Sequence, residues 1–175
     1  DKPKTLIYYI VFWGVLSLFS VFWAWKQKNI GFTDMERAWI NGPGRTTHII
    51  RWGTLIRYFS THNDAASYGI AIASTAVAYL IFALTNKIKK YRYFFLITGL
   101  ACTWGMFPSG TRTAIICFFA GIATFAFLSK SAKLTALVSS LFAICLFLLV
   151  FTDIGNGNDS IKRMRSAFDK NDASM

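Results

Sequence analysis

The sequence predicts an all-α protein, a polytopic transmembrane helical bundle with about five spans joined by polar segments. Three observations predict it. Hydrophobic residues make up 54% of the 175-residue chain and aromatics 17%, whereas charged residues reach only 15%, against about 25% in an ordinary globular domain. The mean hydropathy is +0.42. The apolar residues are also gathered into runs, and the longer ones match the ~20 residues that carry a helix across a ~30 Å hydrocarbon core.

The elements follow in order. Residues 6–25 form the first span, flanked by Lys2 and Lys4 on one side and by Lys26 and Lys28 on the other. No signal peptide precedes it, so the pattern is that of a membrane anchor. A polar segment, residues 26–66, leads to the second span, 67–84, with Asn63 or Asp64 as the expected cap of its first turn. Within that segment, Arg51 and Arg57 are mixed with Ile49, Ile50, Trp52, Leu55, Ile56 and Phe59 at near-helical spacing. This suits an interfacial or re-entrant segment.

Residues 94–128 are thirty-five residues with a single charge, Arg112. That is too long for one span, and an arginine at the bilayer centre costs anywhere from ~2.5 to ~17 kcal/mol. Pro108, Ser109 and Gly110 supply a break. The run therefore reads as a hairpin of spans 94–107 and 113–128, with Arg112 at its tip near one membrane face. Residues 134–151 form the last span, and 152–175 begin a large polar loop. The chain opens at Asp1 and stops within "SAFDKNDASM", and is read as an excerpt of a longer multi-span protein.

The loops orient the bundle. Lys87, Lys89, Lys90 and Arg92, then Lys130 and Lys133, lie in short loops without acids, which places both in the cytoplasm by the positive-inside rule. Residues 26–66, the "PSGTR" turn and everything after Thr152 then share the outer face. Seven of the eight arginines fall there (Arg37, Arg45, Arg51, Arg57, Arg112, Arg163, Arg165). Part of the net charge of +11 is topogenic or attracts the membrane surface. A guanidinium, unlike an ammonium, also presents a planar fork suited to phosphate.

Soluble-enzyme signatures are absent: no P-loop, no HExxH and no CxxC. The acids are scattered, giving no carboxylate cluster for a metal. Cys102, Cys117 and Cys145 lie in apolar runs and read as small buried hydrophobes. His62 is a candidate general base, with a hydrogen-bonded structural role as its alternative. Asp64 reads as a cap or an arginine partner. Nothing suggests a cofactor or a nucleic-acid partner.

Three stretches, "RYFSTHNDAASYG" (57–69), "GMFPSGTRTAI" (105–115) and "GNGNDSIKRMRSAFDKNDAS" (155–174), come in order with spans between them. Together they resemble the O-antigen ligase/polymerase superfamily, in a form associated with Bacteroidetes-type surface-glycan loci. The resemblance implies a bacterial inner-membrane protein with a periplasmic active face that performs metal-independent glycosyl transfer. The donor would be an undecaprenyl-pyrophosphate-linked glycan. The acceptor would be lipid A core for a ligase, or another lipid-linked glycan for a polymerase.

Carried across, Arg112 matches the family's Ser-Arg element and is the first candidate for pyrophosphate binding, followed by Arg57 and Arg165. His62-Asn63 looks like the ligase His-Asn motif but precedes the large loop where the family's base lies, so that base is expected outside this stretch. A transporter of anionic lipid-linked glycan is one alternative, although no internal repeat is visible. A non-catalytic partner in glycan assembly is the other.

Overall fold

The computed structural model describes residues 2–43, 49–51, 55–129 and 140. The expected last span (134–151) and large loop (152–175) therefore lie outside the described residues, apart from Ser140. What is described is mostly helical: α1 (Lys2–Asn29), α2 (Asp34–Ile40), α3 (Ala65–Thr85), α4 (Lys89–Gly105) and α5 (Arg112–Leu128). A 3-10 turn, Phe107–Ser109, links α4 to α5. Between α2 and α3, β1 (Ile50–Arg51) and β2 (Leu55–Ile56) pair antiparallel, with Ile50 opposite Ile56 and Arg51 opposite Leu55. In the stretch expected as an interfacial or re-entrant segment, the described residues thus form a two-residue antiparallel ladder.

Among the described residues two helices are long and apolar enough to cross a membrane, Thr5–Asn29 within α1 and Ala65–Thr85, which is α3. At 1.5 Å per residue the 21 residues of α3 extend about 31 Å. The 17 residues each of α4 and α5 reach only about 25 Å. All four helices exceed the spans expected from the apolar runs, because each extends into its polar flank.

The long helices pack as an antiparallel bundle in which α3 lies against both α4 and α5, and α1 lies mainly against α4. Small residues permit the close approaches. A Cβ on Gly105 would meet Val21 Cγ1 at 2.9 Å, and one on Gly99 would meet Leu80 Cγ at 3.0 Å. The central core gathers Val21, Tyr68, Ile72, Ala76, Cys102, Met106 and Ala114. The outer face of α1 leaves Leu6, Tyr9, Phe12, Trp13, Leu16, Phe19 and Phe22 exposed, a larger apolar surface than a protein surrounded by water usually shows.

Antiparallel packing sorts the loops into two ends. One, the arginine end, holds the C-terminus of α1, α2, the β pair, the start of α3, the 3-10 turn and the start of α5. The other, the lysine end, holds the start of α1 and the connection from α3 to α4.

Candidate functional site

The arginine end is built around the break in the α4–α5 hairpin. Pro108 sits in the 3-10 turn, and Gly110 closes it at φ +56°, a left-handed conformation that glycine adopts without steric cost. The Ser109 hydroxyl donates to Met106 O at 2.6 Å. The turn then docks on α3, where Gly69 lies so close to Ser109 that an added Cβ would come within 3.0 Å of its Cβ. Tyr68 donates its hydroxyl to Gly105 O at 2.8 Å, and so satisfies a carbonyl that the end of α4 leaves without an intrahelical donor.

Arg57 locks this turn from the other side. It is only 8% exposed. Its Nε donates to Ser109 O at 3.1 Å and its Nη2 donates to Thr111 Oγ1 at 2.8 Å. The backbone N–H of Tyr58 donates to Pro108 O at 3.2 Å. Of the three arginines singled out in the sequence, Arg57 thus turns these donors into the protein, onto the hairpin tip. Arg112, the first residue of α5, is exposed. Arg165 lies outside the described residues.

Thr111 connects the two. As the N-cap of α5 its hydroxyl would ordinarily accept from the helix's first turn. Here it makes no such bond, because it accepts from Arg57 and donates to Ala65 O at 3.2 Å. The first turn of α5 therefore lacks a side-chain cap exactly where Arg112 emerges. The positive end of the helix dipole adds to the guanidinium charge there.

The rim of this end is also ordered. Asp64 caps α3, accepting from Ala66 N at 2.6 Å and Ser67 N at 2.9 Å. Burial alone would raise its pKa. The hydrogen bonds from Ser67 and Ala66, together with the Arg57 charge, hold it below the ordinary carboxylate range. The sequence left open whether Asp64 was a cap or an arginine partner, and the hydrogen bonds it accepts from Ala66 and Ser67 are those of a cap. His62 is half-buried, with its ring 5.6 Å from that of Tyr68. Its Nδ1 is buried with no hydrogen-bond partner among the described residues. Burial lowers its pKa, against an opposing pull from Asp64.

Sequence reasoning missed a second group. Ser60 has φ +54°, a conformation unusual for a residue with a Cβ. Buried Gln27 holds it there: Ser60 N–H donates to Gln27 Oε1 at 2.8 Å, and Gln27 Nε2 donates to Ser60 O at 3.1 Å. The Ser60 hydroxyl donates to Ser20 O at 2.6 Å. Gln27 Nε2 also donates to Glu36 Oε1 at 2.7 Å, beside Trp23 Nε1 at 2.8 Å.

Glu36 in turn closes a capping box with Thr33 and lies 3.5 Å from Lys26 Nζ. Burial pushes its pKa up, but the hydrogen bonds from Gln27, Thr33 and Trp23 outweigh that and hold it at about 2. The spacing "TDME" (33–36) is a capping-box signature and was the available signal.

Among the described residues, no three His, Cys, Asp or Glu side chains are grouped to hold a metal ion. No protein-family model, curated protein or solved structure matches this chain.

Proposed function

We propose that this chain belongs to a membrane glycosyltransferase that moves an undecaprenyl-pyrophosphate-linked glycan at the arginine end, on the periplasmic face of the bacterial inner membrane. The observation that carries this reading is the state of the α5 N-terminus. Arg57 and Ala65 draw the Thr111 hydroxyl away from it, and exposed Arg112 stands on the uncapped first turn. Such a turn attracts anions.

A pyrophosphate leaving group gains negative charge as its bond to the sugar breaks. Positive groups fixed beforehand at that position stabilise the transition state more than the ground state. Arg57 acts here as a positioning residue that holds the turn carrying Arg112. His62 stands at the same end, with a lowered pKa that favours the neutral, proton-accepting form. On this reading α1, α3, α4 and α5 are four of the expected spans. The exposed apolar face of α1 then meets lipid.

The test uses cells lacking the full-length gene, complemented with wild type, Arg112→Lys or Arg112→Ala. Surface glycan is resolved on gels beside the extracted undecaprenyl-linked intermediates. Polymer stranded on the carrier with bare lipid A core identifies a ligase; single repeats on the core identify a polymerase. Arg112→Ala is expected to reproduce the deletion and Arg112→Lys to restore little. Full activity of the lysine variant would rule out recognition by the guanidinium fork, and unchanged glycan in the deletion would overturn the proposal.

A further inference from the structure

From the middle of the bundle toward the lysine end a groove of about 410 Å³ opens between α1 and α3, lined by Tyr9, Trp13, Ser74, Ala78, Tyr79 and Phe82 among others. Its size falls within the range of small-molecule sites. Its chemistry is mostly apolar, and two of the hydroxyls on its border are already engaged: Thr75 donates to Ala71 O at 2.8 Å, and Ser74 Oγ lies 3.3 Å from Cys117 Sγ. Tyr79 donates its hydroxyl to Ile10 O, tying the two walls together. The groove suits a hydrocarbon chain and offers little to a sugar.

It runs toward a basic end. Phe82 stands one turn before the end of α3, and Lys87, Lys89, Lys90 and Arg92 follow at once, all exposed. No Asp or Glu occurs anywhere between Asp64 and Asp153, so nothing on these helices or their connection neutralises them. Tyr91 fixes this stretch to the groove: its ring stacks on Phe95 at 6.3 Å, and Phe95 packs against Phe82 and Tyr79 at 5.7 Å each. The flanking cations are thereby held beside the groove wall.

We propose that this is a binding site for an anionic phospholipid, with one acyl chain in the α1–α3 groove and the phosphate against the basic α3–α4 connection. Charge complementarity selects the class, since basic pockets between membrane helices recognise acidic headgroups. The site lies at the end away from Arg112. It rests only on the membrane-spanning part of the proposed function and does not depend on glycan transfer.

The experiment takes the full-length protein in detergent and measures retained lipid by native mass spectrometry after exchange with dioleoyl phosphatidylglycerol or dioleoyl phosphatidylcholine. Wild type is expected to prefer phosphatidylglycerol by about tenfold. The triple variant Lys87→Gln, Lys89→Gln, Lys90→Gln is expected to lose that preference, and its exposed positions keep it foldable. Ala78→Phe, which fills the groove, is expected to retain neither lipid. Equal retention of both lipids by wild type would overturn the proposal, as would an unchanged preference in either variant. Whether the protein leaves membranes in alkaline carbonate without detergent is scored separately, and that outcome would overturn the membrane reading itself.

Discussion

The two ends of the bundle are both cationic, yet they are built in opposite ways. At the arginine end the polar and charged groups are interleaved with acids and tied to other segments: Arg57 to Ser109 and Thr111, Lys26 to Glu36, Gln27 to Ser60. At the lysine end Lys87, Lys89, Lys90 and Arg92 stand exposed, with packing supplied by the aromatic cluster of Tyr79, Phe82, Tyr91 and Phe95 beneath them. A buried polar network demands that each member be satisfied, or the remainder is left without partners at low dielectric. Exposed lysines make no such demand. The first arrangement fixes geometry; the second presents charge.

The sharpest way to break this contrast is Arg57→Ala. It removes two charge-assisted hydrogen bonds from the hairpin tip and is expected to cost about 3 kcal/mol, read as a lowered midpoint of thermal unfolding in detergent. Gln27→Leu comes next. It leaves the Ser60 N–H unpaired and is expected to cost about 2 kcal/mol, with faster hydrogen exchange around Ser60 as its local signature.

Acid should separate the ends without any mutation. His62 has its pKa lowered from 6.5, so the fold favours its neutral form. That contribution is present above pH 6.5 and lost as pH falls through the lowered value. Glu36, held at about 2 against 4.5, contributes fully above pH 4.5 and progressively less toward pH 2. Hydrogen-exchange protection near Ser60 and Thr33, taken relative to the intrinsic rate at each pH, should therefore fall in two stages on acidification. The lysine end, with neither acid nor histidine in its helices, should not follow. The smallest effect belongs to Lys89→Gln with Lys90→Gln, expected to shift stability by under about 0.5 kcal/mol in the same thermal assay.

How far the sequence disclosed this molecule follows the same division. The helices at α1 and α3 and the hairpin break at Pro108–Gly110 were legible because length, hydropathy and backbone chemistry are local properties. Asp64 was legible as a cap for the same reason. The surroundings of Arg57 were not, since its acceptors lie 52 and 54 residues away and no periodicity reports them. Nor was the pairing of Gln27 with Ser60, which depends on how α1 meets the start of α3. The pairing of Ile50 with Ile56 was not foreseen, because apolar and basic residues mixed at near-helical spacing suggest an interfacial or re-entrant segment without specifying a strand. Glu36 was missed: the spacing "TDME" could have marked it as a cap, but carries no sign that Trp23 and Gln27 converge on it.

The span between Arg57 and its acceptors also sets a timetable. A chain synthesised from its N-terminus exposes Arg57 well before Ser109 exists. At about 5–20 residues per second, the 52 intervening residues take roughly 3–10 s. Throughout that interval the guanidinium stays hydrated, and the segment bearing it has no turn to close upon. Burial of Arg57 is thus a late event of folding, dependent on the α4–α5 hairpin having been made and docked. The contact that shapes the arginine end doubles as a checkpoint on the assembly of everything before it.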